Sequence, residues 1–322
     1  MTRMLRAALA ALTIAALPGV TEAAWPERPV RVIVPFAPGG GTDLVGRLVA
    51  GALQDRLGQP FVVENRPGAG GTIGTATVAR TAPDGYTLAI GFIATHAIGP
   101  ALDPNAGYDP VRDFTCVATL AVAPNILVVH PSVPAQDARA LAALARERPD
   151  TLAYGSAGIG SPAHLTGLLF ARATGASVQH VPYRGGAPAV ADLVAGRLQF
   201  MFAGPVETLP HVREGRLRAL AVSTPRRSTL VPDLPTMAEA GIPGVVLQQW
   251  FVLCAPAGTP APILARLTEA TDAALAEPIL RERLTAAGLE PAEARSDAAQ
   301  RFVAEEADRW GTLVRAAGLK AE

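Results

Sequence analysis

Residues 34 to 43, VPFAPGGGTD, concentrate the chemistry of this chain. An apolar run from Val30 to Phe36 meets Pro38, three glycines at 39–41, Thr42 and Asp43, and an amphipathic segment follows. A strand that feeds a glycine turn opening a helix exposes backbone N–H groups to an anion. Thr42 adds a hydroxyl. Two more turns share this composition: 68–71 in NRPGAGGTIG, preceded by the amide of Asn65, and GSAGIGS at 155–161. One such turn alone need be no more than a tight turn. Three, each leading into a helical pattern, point to a small anionic ligand held by main-chain amides. Arg66 and Arg184 stand beside the glycine turns rather than inside them, which suits a free carboxylate better than a phosphate.

Other chemistries fail on spacing. Leu44 occupies the place of the third glycine of a dinucleotide fingerprint read from Gly39, and Ile73 occupies it when read from Gly68. There is no phosphate-loop motif, no G-x-S-x-G and no H-E-x-x-H, and the histidines and cysteines lack metal spacing. His96 in ATHAIG and His164 in SPAHL lie beside glycines and hydroxyls and are the histidine candidates for ligand contact. His130 and His180 read as structural or surface residues finishing strands. Asp43 and Asp84 fall at turns or helix starts, where a carboxylate caps N–H groups or offsets the helix dipole. No catalytic group is required. Hydrogen bonds to a charged group contribute about 1.5–3 kcal/mol each, and a helix N-terminus about 0.3–2 kcal/mol. Three or four such contacts, less ordering costs, reach the roughly 8 kcal/mol of micromolar binding.

The elements that must position these turns alternate as in an α/β protein with mainly parallel sheets. Strands are expected at Val30–Phe36, Phe61–Glu64, Thr87–Phe92, Phe114–Leu120, Ile126–His130, Leu152–Ser156, Val178–Val181, Leu198–Phe202 and Arg218–Ser223. Val45, Leu48, Val49, Ala52, Leu53 and Leu57 recur at helical spacing up to Gly58. Asp137 precedes a helix that ends before Pro149. Ser161 followed by Pro162 is a strong helix start. PFAPGGGTDLVGRL and YGSAGIGSPAHLTGLLF echo one another, which suggests two α/β lobes facing each other. Residues 260–318 read as helical, with helices near Ile263–Ala276, Ile279–Ala287 and Ala298–Ala316.

At 322 residues the chain is long enough for two domains, and 49% hydrophobic with 17% charged residues describes a packed globular protein. Twenty-eight basic residues balance 28 acidic ones without a basic stripe, against a nucleic-acid partner or an acidic membrane surface. Lys320 is the sole lysine, so neither Schiff-base chemistry nor a phosphate-loop lysine is available in the core. Residues 1–24, with Arg3 and Arg6 ahead of an apolar stretch from Ala7 to Leu17, read as a secretory signal cleaved near Ala23 or Ala24. Cys116 and Cys254 then face an oxidising compartment. A disulfide between them is possible, but both lie in apolar strand-like runs, and two separate buried thiols are the expectation.

The segments WPERPVRVIVPFAPGGGTD, VVENRPGAGGTIG, DGYTLAIG, YDPVRDF, HLTGLLF, HVPYRGGAPAVADLVAGRLQFMF, LRALAVST, DLPTMAEAGIPG and APAGTP run in order from Trp25 to the C-terminal region. Together they resemble the Bug family, the TctC-like extracytoplasmic solute receptors of tripartite tricarboxylate transporters. The resemblance implies a two-lobed periplasmic-binding-protein fold of type II-like topology, with ligand in the cleft between the lobes. By analogy the first lobe is 25–124 plus 224–322 and the second is 125–223. It also implies a small carboxylate ligand (a di- or tricarboxylate, an aromatic acid or similar), no cofactor or metal, no catalysis, a monomer, and delivery to TctA/TctB-type membrane subunits. Presentation of ligand to a membrane signalling kinase is the alternative, and a secreted hydrolase a more remote one. Family contacts carried onto this sequence point to Phe36, Ala37, Gly40, Gly41 and Thr42, to Asn65, to Thr95 and His96, and in the second lobe to Ser156, Ala157, Ser161 and His164. The chain departs from the pattern after LQFMF, where Ala203-Gly204 stands in place of a frequent Asp or Asp-Asn. Loss of that acid makes an amino-acid ligand less fitting and leaves room for a more apolar or larger one. Gly99 likewise replaces a common asparagine.

Overall fold

The structure, a computed structural model, describes residues 25–292 and 296–319. The export signal expected over 1–24 lies outside the described residues. In chain order the strands are β1 (Val30–Val34), β2 (Phe61–Asn65), β3 (Thr87–Phe92), β4 (Phe114–Pro124), β5 (Ile126–Val129), β6 (Ala153–Ser156), β7 (Gln179–Pro182), β8 (Phe200–Ala203), β9 (Arg218–Val222), β10 (Gln248–Pro256) and β11 (Glu290–Pro291). The helices are α1 (Gly41–Leu57), α2 (Thr72–Ala79), α3 (Gly99–Leu102), α4 (Ala138–Glu147), α5 (Pro162–Thr174), α6 (Gly186–Val194), α7 (Pro205–Arg213), α8 (Ala261–Ala276), α9 (Pro278–Ala286) and α10 (Ser296–Ala316).

Two sheets result. The first has the order β11-β4-β10-β3-β1-β2 and the second β7-β6-β8-β5-β9. In the first, β1 pairs parallel with β2 on one side and β3 on the other. Every residue of β3 is buried, as a strand covered on both faces must be. In the second, β6 pairs parallel with β7 and β8, while β5 runs antiparallel to β8 and β9. Strand β5 is apolar throughout because alternate residues enter different cores. Leu127 and Val129 join Phe170 and Phe200 on one face, and Ile126 and Val128 join Leu193 and Met201 on the other. The first sheet has its own core around Ile33, Leu53, Ile90, Phe251 and Trp310. The indoles of Trp250 and Trp310 both donate to Glu306 at 2.9 Å, so α10 is held to β10 without an unpaired indole N–H.

The chain passes from the first sheet to the second at Asn125 and returns through 223–247. Asn125 and Ser223 tie the two crossings together, Ser223 N donating to Asn125 O at 2.9 Å. The Asn125 amide is buried and donates to Thr166 of α5 at 3.0 Å, while Gln249 Nε2 at the head of β10 donates to Asn125 Oδ1 at 2.5 Å.

Several element ends shift from expectation for local reasons. Strand β1 stops at Val34 because Pro35 has no N–H to continue the ladder. Strand β4 runs on to Pro124 because β10, absent from the expected strands although WFVLCAP reads as strand-like, pairs along its whole length. Helix caps fall where their residue types place them: Asp137 accepts from Ala140 N, Ser161 from His164 N, and Gly58 ends α1 in the left-handed conformation. The expectation of separate thiols is corrected. Cys116 and Cys254 are register partners on β4 and β10 and form a disulfide. An antiparallel ladder brings two cysteines 138 residues apart in sequence side by side, which the sequence without the missing strand could not reveal.

Closing so long a loop removes much freedom from the unfolded chain, so the double substitution Cys116→Ala, Cys254→Ala should lower unfolding free energy by about 2–5 kcal/mol. Denaturant titration of both proteins checks this. Identical midpoints would show that the bridge adds nothing to the packing of β4 on β10.

Candidate functional site

Parallel strands present their carboxyl ends together, and ligands of open α/β sheets sit where neighbouring connections diverge from one another. In the first sheet that point is β1, flanked by β2 and β3. The turns beyond the three strands are 35–41, 66–71 and 93–98. In the second sheet it is β6, flanked by β7 and β8, with turns at 157–161, 183–185 and 204. The predicted residues therefore lie at or beside these two edges.

The two edges meet. A Cβ built on Gly160 would stand 2.1 Å from Leu102 Cδ1 at the end of α3, and Gly160 has φ +75°. Only glycine allows the second-lobe turn to lie this close to the first lobe. Gly204 lies against the Gln249 amide, 3.2 Å from the same construction, and Pro205 against Gly288. Under the first edge run three phenyl rings: Phe36 meets Phe92 edge-on at 5.6 Å, and Phe92 stacks on Phe251 at 5.1 Å. Phe251 in turn touches Gly41, 3.4 Å from its Cβ position, at the first residue of α1. Phe251 and Gln249 thus link the glycine turn of one lobe to Gly204 of the other. Neither was among the sequence candidates, and QQW in LQQWFVLCAP gives only strand-like alternation as a clue.

Helix α1 begins at Gly40 without a side-chain cap. Asp43 is nearby but otherwise engaged: it accepts from Gly39 N at 3.0 Å, from Asn65 Nδ2 at 2.8 Å and from Arg47 Nε at 3.0 Å. Burial opposes its ionisation, yet these three donors hold its carboxyl below the usual range. Asn65 closes the network by donating to Phe36 O and accepting from Arg47. Asn65 is therefore a brace for the turn, and Asp43 fixes its shape. Ala37 is exposed, Phe36, Gly40 and Gly41 are half-buried, and the Thr42 hydroxyl makes no hydrogen bond among the described residues although the residue is 6% exposed.

Thr95 and His96 are placed differently from expectation. They lie in a π-helical turn, Ala94–Ile98, and both are buried, His96 completely. Thr95 Oγ1 bonds Phe92 and the His96 ring, its methyl lies under Gly71, and its carbonyl accepts from Tyr108. His96 packs on Phe114 at 4.9 Å, and burial holds its pKa down to about 3. The His96 ring thus lies in the first-lobe core rather than on the exposed turn. His96, Cys116 and Cys254 bring a ring nitrogen and two sulfurs within 4.8 Å of one another, but the sulfurs are bonded to each other and are not offered to a metal.

On the second edge, Ala157 is exposed and Ser161 half-buried, with Ser161 Oγ committed to capping His164 N. Ser156 is buried; its hydroxyl accepts from Gly158 N at 3.1 Å and pairs with His180 Nε2 at 2.7 Å. His164 Nδ1 accepts from Gly160 N at 3.1 Å, and its ring stacks on His180 at 4.1 Å. His180, read as a plain strand end, is thus part of the support of this turn. Ala203 is 3% exposed beneath the turn. Two surface cavities, of about 510 and 420 Å³, lie on the first-lobe flank, one beside Leu102–Pro104 with Arg315 and one around Pro100–Asp113; Leu102, which meets Gly160, lines the first, and none of the predicted residues lines either.

With this geometry stand the comparisons. Residues 45–319 match the model of the tripartite tricarboxylate transporter family receptor, TctC. The chain belongs to the TctC family. Protein BugT of Bordetella pertussis is 41% identical over 306 residues, covering 94% of this chain and 93% of BugT. An R. palustris protein solved with adipate superposes with a TM-score of 0.86 at 39% identity, covering 92% of this chain and 99% of its own. MatC of Rhodopseudomonas palustris, solved with bound malate, gives 0.82 at 39% identity, covering 90% and 100%. The fold is the two-lobed α/β architecture of periplasmic binding proteins, and the family is one of solute-binding receptors. No helix among the described residues is long and apolar enough to cross a membrane.

Neutral histidine rings support the second turn. Burial lowers the pKa of His164, and burial together with the neighbouring His164 lowers that of His180 to about 4. A histidine pKa lowered on folding stabilises above its unfolded value of about 6.5 and loses that contribution as pH falls through the folded value. Stability should therefore decline between about pH 6.5 and pH 4, and His180→Phe should flatten that part of the curve. Equal pH dependence of the two proteins in denaturant titrations would remove the pair from the account.

Proposed function

We propose that this protein is a periplasmic receptor that captures a small carboxylate between its lobes, leaves it chemically unchanged and delivers it to a TctA/TctB-type membrane transporter. One observation carries the reading: α1 starts without a side-chain cap at the carboxyl end of central strand β1, behind a turn whose residues 37–39 are exposed. The amides of Gly40, Gly41 and Thr42, with the Thr42 hydroxyl, hold the carboxylate; Phe36 and Ala37 border it. The turn 157–161, braced by Ser156, Ser161 and His164, supplies contacts from the other lobe. The adipate and malate bound by the two relatives support this ligand class.

The working units are 25–124 plus 224–322, and 125–223, hinged at Asn125 and Ser223. Contacts from the second lobe form on closure, so ligand shifts the open–closed equilibrium by its differential affinity for the two states. The signal over 1–24 directs export, and the receptor acts as a monomer.

Thr42→Ala should weaken binding of the acid by about 1–2 kcal/mol, roughly five- to thirtyfold. A thermal-shift screen of small organic acids identifies the acid, because ligand that binds only the folded state raises the melting temperature. Calorimetry on both proteins then reads the loss. Unaltered affinity would place the carboxylate away from α1, and conversion of the bound acid to product would refute the receptor reading.

A further inference from the structure

The second lobe's edge carries a carboxylate that the receptor reading leaves unused. Glu207 lies in the first turn of α7, four residues beyond Ala203, and its carboxylate rests on the start of α6. A Cβ on Gly186 would be 2.5 Å from Glu207 Oε1 and 2.7 Å from Oε2. No hydrogen bond or ion pair is made by this carboxylate among the described residues, and Arg184, exposed beside the same turn, does not pair with it. Burial pushes its pKa upward.

Its position decides what the second lobe can offer a ligand. Three helices begin on that edge. The start of α5 is closed by Ser161. Helices α6 and α7 begin at Gly185 and Gly204 without side-chain caps, and each would attract an anion. Glu207 already places a negative group at both. A second ligand carboxylate arriving there would be buried beside a like charge, which disfavours both ionised forms. Nothing at Ala203 or Gly204 compensates. What remains across the cleft is the Gln249 amide, with Nε2 given to Asn125 and Oε1 making no hydrogen bond among the described residues. A Cβ on Gly204 would stand 3.9 Å from that oxygen. Oε1 can accept from a hydroxyl or amide, while Phe36, half-buried beside the first glycine turn, suits an apolar body between the two ends.

Building on the receptor reading, we propose that the cleft selects a monocarboxylate with an uncharged distal end, hydroxyl or amide, and rejects dicarboxylates, with Glu207 as the discriminating residue. The ligand would then share one carboxylate with the adipate and malate bound by the two relatives and differ from them at its distal end.

Matched acids test this on the exported chain: adipate against hexanoate and 6-hydroxyhexanoate, and malate against lactate, each by calorimetry with thermal shift. The better-bound pair should show the monocarboxylate ahead by about tenfold or more. Glu207→Gln should shrink that ratio by about tenfold, mainly by tightening the dicarboxylate; the melting curve of the unliganded variant establishes that it folds. A dicarboxylate bound as well as its monocarboxylate partner by the unaltered protein, or a ratio indifferent to Glu207→Gln, overturns this inference and leaves the receptor reading intact. If the wider screen of organic acids also finds no binder, both fall together.

Discussion

A helix that starts on glycine without a capping side chain leaves its first N–H groups in need of an acceptor. That constraint organises the first lobe. Strand β1, central to its parallel strands, delivers the turn to the carboxyl edge of the sheet. Asp43, in the first turn of α1, does not cap it but turns back to Gly39, Asn65 and Arg47 and stiffens the loop. The local charge thus shapes the turn, and no side chain caps the amides at the start of α1. A helix dipole and aligned donors favour an anion without any positive side chain in the turn.

The second lobe matters through its coupling to that turn. Asn125 joins α5, by way of Thr166, to Gln249 at the head of β10. Two residues along β10, Phe251 lies on Gly41. The path from the turn at 157–161 to the start of α1 therefore runs through packed or hydrogen-bonded neighbours and passes between the sheets at Asn125. Closure on this account is a change in how Gln249, Gly204 and the phenyl rings pack, and the free energy of ligand contacts on both edges biases it. The disulfide pins β4 to β10, and the buried π-helical turn carries Thr95 beneath Gly71, which stiffens the first edge.

Much of this arrangement was legible in local sequence. Strand cores with continuous apolar runs, such as Thr87–Phe92, and helix ends with distinctive residues, such as Asp137, Ser161 and Gly58, fell where propensity and capping chemistry put them. The glycine turns were legible as turns for the same reason. Long-range pairing was not. The partner of Cys116 depends on the register of β10, whose pairing with β4 spans 124 to 142 residues of chain. His96 carries the same residue type whether it lines a cleft or fills a core, and only the fold shows it against Phe114. Gln249 and Phe251 escaped because their importance comes from what they touch, Gly204 and Gly41, rather than from a motif.

The most direct test follows the backbone amides while a bound carboxylic acid is titrated into isotope-labelled protein. If main-chain donors at the start of α1 hold the ligand, the amide resonances of Gly40, Gly41 and Thr42 move most in the first lobe, and those of 157–161 move with them. Unchanged glycine amides, with the response confined to the flank around Leu102, Pro104 and Arg315, would contradict the account.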